Sequence, residues 1–285
     1  MQIRGILIPI GGNEDKGKND DELYTLDYIH EGILYHVVQE SGGIHASIKV
    51  IPTASSIPKE VGKNYIQAFT KLGCTDIEVL DIRSREDAEK EEVMEKIAAA
   101  DCVMFSGGDQ SKITNNIGNT SLHKLLHKRL IEEPIVIAGT SAGAMMMSQE
   151  MIAGGSSAYS MVKGAVNMYK GLGFVPNLII DSHFVMRGRF GRVAEAIAQF
   201  PHLLGVGLAE DTGLIIKTCN QFKVIGSGMV MIFDPSKLTH NNFSELSEDT
   251  PMSIANLIVH ILVNGDQFSI DERKLEVLPM DAEFI

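Results

Sequence analysis

A chain of 285 residues, 44% hydrophobic and 22% charged, has enough apolar material to bury a sizeable core, so its stability requires neither a metal nor disulfide bridges. A formal net charge of −12 repels phosphate backbones, which argues against nucleic acid as a partner and mildly favours a cationic ligand. The three cysteines, Cys74, Cys102 and Cys219, are odd in number and lack CxxC spacing, which argues against a disulfide framework or zinc knuckle and fits a reducing compartment.

The N-terminal run MQIRGILIPIGG is too short in apolar residues for a signal peptide and reads as a first strand, Ile3–Ile10. No stretch approaches the ~20 apolar residues of a membrane span, so a cytoplasmic protein with no membrane partner is expected. Further strands are expected at Ala46–Pro52, Ile77–Ile82, Cys102–Phe105 and Ile135–Ala138, each apolar on consecutive positions as in parallel strands covered on both faces. Helices are expected between them at Leu23–Glu40, Glu60–Leu72, Arg85–Ala99, Leu122–Ile131 and Ala142–Glu150. Gly73 serves as a stop signal, and Ser84 as an N-cap with Glu86 and Asp87 in the first turn. This alternation predicts a doubly wound, mostly parallel α/β sheet, whose ligand site lies at the carboxyl ends of the strands.

The last third reads as strands at Leu178–Ile180, Gly205–Leu208, Leu214–Lys217 and Phe222–Phe233. Gln221–Phe233 and Gln267–Leu278 are expected as antiparallel edge strands or hairpins, and Pro235–Asp249 as a surface loop. Without a linker, repeat or low-complexity tract, residues 1–285 are expected to form a single domain.

The strongest chemical signal is Gly139-Thr140-Ser141-Ala142-Gly143, set between a strand and a helix as in a nucleophile elbow. Ser141 would project from the strand's carboxyl end, with the Ala142 N–H free to stabilise an oxyanion. A serine needs a base, and His183, directly after the strand NLII, is the best placed histidine. His123 and His127 read as a solvated helix face, and His30, His36, His202 and His260 as structural. Glu210 or Asp211, after the strand GVGLA, would orient the imidazole; the residues alone do not separate the two. The turn Ser106-Gly107-Gly108-Asp109-Gln110 exposes backbone N–H groups suited to an oxyanion or carboxylate and lacks the G-K-[ST] of a phosphate loop. Arg187, Arg189 and Arg192 can fork onto carboxylates, the alternative being helix salt bridges such as Arg192 with Glu195.

Taken together, GGNEDK, FSGGDQSKI, GTSAGA, DSHFVMRGRFGRV and GVGLAEDTG resemble the cyanophycinase family, among the serine peptidases that include the aspartyl dipeptidase E group. The resemblance spans about residues 11–216 and implies a fold like the class I glutamine amidotransferases, which is flavodoxin-like, and commonly a homodimer. It also implies Ser141 as nucleophile, His183 as base and Glu210, rather than Asp211, as third member; the elbow and the Gly-Gly turn themselves supply Gly108 and Ala142 as the expected oxyanion hole. It maps Gln110, Asp181, Arg187, Arg189 and Arg192 onto the substrate pocket. Two positions depart from the family: Ser182, where Gln is common, and Asn13, where Ala is common. Ser182 adjoins the base and would retune the pocket.

The implied substrate is cyanophycin, a polyaspartate with arginine on each β-carboxyl, cleaved to β-aspartyl-arginine without metal or cofactor. The arginines would then meet carboxylates, while Asp181 or the acidic pair Glu14 and Asp15 would meet guanidinium groups. An aspartyl dipeptidase using the same residues and a non-catalytic binding protein on the same fold are the alternative expectations. An amidotransferase subunit would carry Cys, not Ser, at the elbow.

Overall fold

A computed structural model describes residues 3–17, 24–157 and 159–278. Strands and helices alternate through β1 (Ile6–Ile10), α1 (Ile33–Glu40), β2 (Ile48–Ile51), α2 (Pro58–Lys71), β3 (Ile77–Val79), α3 (Glu91–Ala98) and β4 (Cys102–Phe105). They continue with α4 (Gln110–Ile117), α5 (Ser121–Glu132), β5 (Val136–Thr140) and the single turn α6 (Ala142–Met145). Successive residues of these short apolar strands feed different cores. Ile8 and Ile10 of β1, Ile48 and Val50 of β2, and Cys102 and Met104 of β4 pack with Leu34 of α1 and Tyr65 and Phe69 of α2. Leu7, Ile51, Val103 and Phe105 point the opposite way, into a cluster with Ile97 of α3 and Leu126 and Leu130 of α5. A sheet buried on both faces needs apolar side chains at every position, which is why these strands read as continuous runs.

The remaining elements are β6 (Glu150–Gly155), β7 (Val166–Lys170), β8 (Leu178–Asp181), α7 (Phe190–Gln199), β9 (Leu204–Leu208), β10 (Thr212–Lys217), β11 (Gln221–Gly226) and β12 (Val230–Asp234). They are followed by β13 (His240–Asn241), β14 (Ile254–Ala255), β15 (Ile258–Leu262), β16 (Gln267–Ser269) and β17 (Lys274–Glu276). The central sheet has nine strands in the order β17-β16-β11-β10-β1-β5-β4-β2-β3. Its members from β1 to β3 pair in parallel, and the C-terminal strands extend it antiparallel. A second sheet, β15-β12-β9-β8, contains the parallel pair β8–β9. The run Phe222–Phe233 therefore divides at Ser227: β11 joins the central sheet, while β12 pairs with β9 and β15 in the second.

Several expected helices are shorter. Residues 24–32 form turns, because the Asp27 side chain accepts the N–H groups of Ile29 and His30 and its carbonyl those of Glu31 and Gly32. Leu23 lies outside the described residues. Ser84 caps Asp87, whose carboxylate accepts the Ser84 N–H in return, but this starts only the 3-10 turn Asp87–Glu89, with α3 following. The helix after Ser141 stops at Met145, where the carbonyls of Met146 and Met147 accept from Leu172 and Val175. Glu150–Gly155 then pairs with Val166–Lys170 in a hairpin with a bulge at Ala153.

Candidate active site

The parallel registers of the two sheets bring five strand ends together. Ile10 of β1 pairs with Thr140 of β5, and Phe105 of β4 pairs with Gly139. The residues that follow these strands, Gly11–Gly12, Ser141 and Gly107–Gly108, thus share one edge. In the second sheet Asp181 pairs with Gly207, which places His183 beside Glu210. The two edges are joined through the glycine pair: the Gly11 carbonyl accepts the His183 N–H at 2.8 Å, and the Gly12 carbonyl accepts the Asp211 N–H at 2.9 Å.

Ser141 has φ 52° and ψ −108°, a left-handed conformation costing roughly 1–3 kcal/mol for a residue with a side chain. Its N–H donates to the Ile10 carbonyl at 2.8 Å, holding the turn in place. Asn13, His183 and Asp211 nearby also have positive φ. Among the described residues the N–H groups of Gly108 and Ala142 have no acceptor. The first leads into the turn at α4 and the second opens α6, and two unspent donors beside a serine suit a developing oxyanion.

His183 donates from Nδ1 to Glu210 Oε1 at 3.0 Å, which leaves Nε2 as the free nitrogen. Burial pushes the imidazole below its ordinary value, against the upward pull of Glu210, so the ring is neutral at neutral pH. The ring lies flat against Gly12: a Cβ built there would stand 2.5 Å from Nε2. Asp211 faces elsewhere, accepting from the Ser227 hydroxyl at 2.7 Å and the Asp15 N–H at 3.0 Å. Geometry thus separates two carboxyls that adjacent positions could not.

Ser141 and His183 line one cleft of about 450 Å³, together with Asn13, Lys16, Asn64 and Tyr65. No hydrogen bond joins them; the Ser141 hydroxyl instead lies 3.5 Å from that of Ser182, which donates to Met145 Sδ at 3.2 Å. A second cleft of about 440 Å³ meets the first at Ser141, Gly108 and Arg187. Its walls include Gln110, Ser182, Arg189 and Arg192.

The polar residues of this second cleft are largely committed to one another. Asp181, with no exposed surface, accepts from Arg189 at 3.0 Å and lies 3.2 Å from Arg192 Nε. Burial raises its carboxyl, and the two guanidiniums pull it back. Arg189 also donates to the Ser182 carbonyl at 2.7 Å. Asp181 is therefore a buried clamp behind the arginines and is not open to a guanidinium from solution. Arg192 pairs with Asp181, not with Glu195, which accepts the Val166 N–H. Gln110 donates twice from Nε2, to the carbonyls of Ile152 and Ala153, both at 2.9 Å, tying the hairpin bulge to α4. Arg187 is exposed at the junction of the clefts.

Glu14, in the wall of the first cleft, and Asp15 are largely committed to partners within the protein. Glu14 is 2% exposed and accepts from Tyr65 and Thr140, each at 2.5 Å, while pairing with Lys16 at 2.9 Å. Burial raises its carboxyl, but Lys16 and the two hydroxyls outweigh this and hold it below the usual range. Asp15 is 5% exposed and accepts the Gly17 N–H. This network, which holds the residue preceding Ser141, was signalled in sequence only by the GGNEDK run. His123 and His127 form no solvated face: both are half-buried and donate from Nε2 to the Leu172 carbonyl, at 2.8 and 2.7 Å, beside Phe174. Among the described residues no group of three or more His, Cys, Asp or Glu side chains is placed to hold a metal ion. Nor is any of their helices long and apolar enough to cross a membrane.

An α/β scaffold that gathers a strained serine, a neutral histidine and free backbone donors at converging strand ends has the architecture of a hydrolytic enzyme. The model for peptidase family S51 matches residues 29–223, and the chain belongs to that family and is a peptidase. Proteins named cyanophycinase from Trichormus variabilis and Geminocystis herdmanii are similar to it. The first is 36% identical over 96% of this chain and 87% of its own, the second 33% over 94% of each. The crystal structure of a peptidase from an acI-B1 Actinobacterium shares the fold, with a TM-score of 0.67 and 21% identity over 94% of this chain and 98% of its own.

Proposed function

We propose that this peptidase is a serine-type exopeptidase that hydrolyses the polyaspartate backbone of cyanophycin to β-aspartyl-arginine. We read its scaffold as class I glutamine amidotransferase-like, with residues 1–285 as one domain working as a homodimer in the cytoplasm. The three buried free cysteines are consistent with that compartment. The observation that carries the reading is the Nδ1–Glu210 hydrogen bond of His183, which turns Nε2 into the cleft that Ser141 also lines.

On substrate binding the Ser141 hydroxyl leaves Ser182, turns to Nε2 and attacks the backbone carbonyl as His183 takes its proton. The apo arrangement tightens only in the loaded complex, as is usual for such contacts. The N–H groups of Gly108 and Ala142 receive the oxyanion. His183 then protonates the leaving amine, and water hydrolyses the acyl-enzyme. Arg187 meets a substrate carboxylate, while Asp181 fixes Arg189 and Arg192 in the wall behind it, where they add positive charge to the cleft. Gln110 retains its side-chain oxygen for the substrate, and Ser182 leaves room where a longer side chain would fill the pocket.

The test is incubation with cyanophycin granules and mass analysis for β-aspartyl-arginine, with Asp-X dipeptides in parallel. Ser141→Ala should lower turnover by roughly 10³ or more while leaving binding largely intact. A purified Ser141→Ala protein that retains activity rules the mechanism out.

A further inference from the structure

The arginine-lined cleft does not end at the hairpin. It shares Ser111 and Ala153 with a neighbouring cavity of about 500 Å³, so the two form one groove leading away from Ser141. The floor of that cavity is Thr114 and Asn115 of α4, and its far wall is Asn167, Tyr169 and Lys170 of β7. Along β7, Val166 and Met168 turn into the core, so Asn167 and Tyr169 share the outer face. Tyr169 is 65% exposed, so its ring is open to a ligand in the groove. The wall is not loose, because Gln110 fastens β6 at its bulge.

The chemistry of the cavity differs from that of the arginine cleft. Lys170, its one cation, is paired with Glu150. What remains is an exposed aromatic face and the side-chain amides of Asn115 and Asn167, neither of which is hydrogen-bonded to another of the described residues. An aromatic face with amide oxygens recognises a guanidinium, whereas the arginine cleft recognises a carboxylate. A carboxylate site adjoining a guanidinium site matches a repeating unit that carries both groups.

We propose that Tyr169, Asn115 and Asn167 form a second binding site that holds a further arginyl unit of a polymeric substrate, beyond the unit at Ser141. The inference rests on the cyanophycinase reading and adds to it a means of favouring polymer over short peptide.

The test compares kcat/KM on long polymer and on a soluble two-unit fragment for the wild type, Tyr169→Ala and Tyr169→Phe. Losing an exposed cation–ring contact should lower the polymer-to-fragment ratio about two- to fivefold in Tyr169→Ala, through KM. Tyr169→Phe, which keeps the ring, should restore it. An unchanged ratio in Tyr169→Ala, or equal losses on both substrates, overturns the site while leaving the parent reading intact. A wild-type enzyme that cannot cut the polymer at all removes the parent reading, and this site with it.

Discussion

Replacing Glu210 with Gln tests the relay at the point where the geometry is most specific. The amide keeps an acceptor for the Nδ1 proton of His183 but loses the negative charge that steadies the imidazolium formed during attack. Between full charges 3.0 Å apart, an effective dielectric of about 20 gives roughly 5 kcal/mol. His183 still reaches the cleft and its solvent, so about half of that, roughly 2.5–3 kcal/mol, should be felt in the transition state, or about 10² in kcat. The pH profile carries a second signature. The base works when neutral, so activity is present above the His183 pKa and is lost as pH falls through it. Burial already sets that pKa below 6.5 and Glu210 pulls it up, so Glu210→Gln should move the acid limb to lower pH. Steady-state kinetics across pH would read both effects, with Asp211→Asn as the neighbour control, expected to leave the acid limb in place. A Glu210→Gln enzyme within about threefold of wild type, or with an acid limb displaced upward, would refute the assignment.

Gly12→Ala should cost about 10² in kcat/KM, because at φ +113° the new methyl would lie 2.3 Å from His183 Cε1 and force the ring aside; near-normal activity would mean that the working imidazole lies elsewhere. Asp181→Asn leaves two guanidiniums packed on a neutral amide, and should cost roughly 3–5 kcal/mol, or about 6–15 °C in Tm by thermal scan. A loss under about 1 kcal/mol would show that the clamp is not needed for folding. The depressed carboxyl of Glu14 contributes stability that is present above 4.5 and lost as pH falls through its lower folded value. Glu14→Gln should therefore cost roughly 2–3 kcal/mol in urea unfolding at pH 7, and the gap to wild type should narrow toward acid; a gap constant with pH contradicts the ionised pairing.

What could be read from the sequence was whatever is local. The parallel strands are apolar at every position because both faces are covered, and Ser141 announces itself because an elbow needs its flanking small residues in order along the chain. Helix α4 leaves little local signature, since its sequence QSKITNNI has little apolar stripe, although Asp109 supplies a cap that accepts the Ser111 N–H. The run AMMMSQEMI suits a helix and a strand equally, and it takes strand pairing because residues 171–175 capture its carbonyls first. Within Gln221–Phe233, the Gly-Ser-Gly at 226–228 was the available sign that one apolar run serves two sheets.

The functional residues divide on the same line. Residue type and position identified Ser141 and His183 as candidates, but a carboxyl's role depends on what surrounds it in space. Asp181, Glu14 and Asp15 carry the charge that a cationic substrate would seek, yet each is buried with its own internal donors. A charged side chain that is already paired inside the protein gains little from a ligand and loses its partner in the exchange. Substrate contacts should therefore be sought among groups with hydrogen-bonding capacity unspent. Among the described residues in and beside the clefts these include Arg187, the Gln110 oxygen, the N–H groups of Gly108 and Ala142, and the amides facing Tyr169.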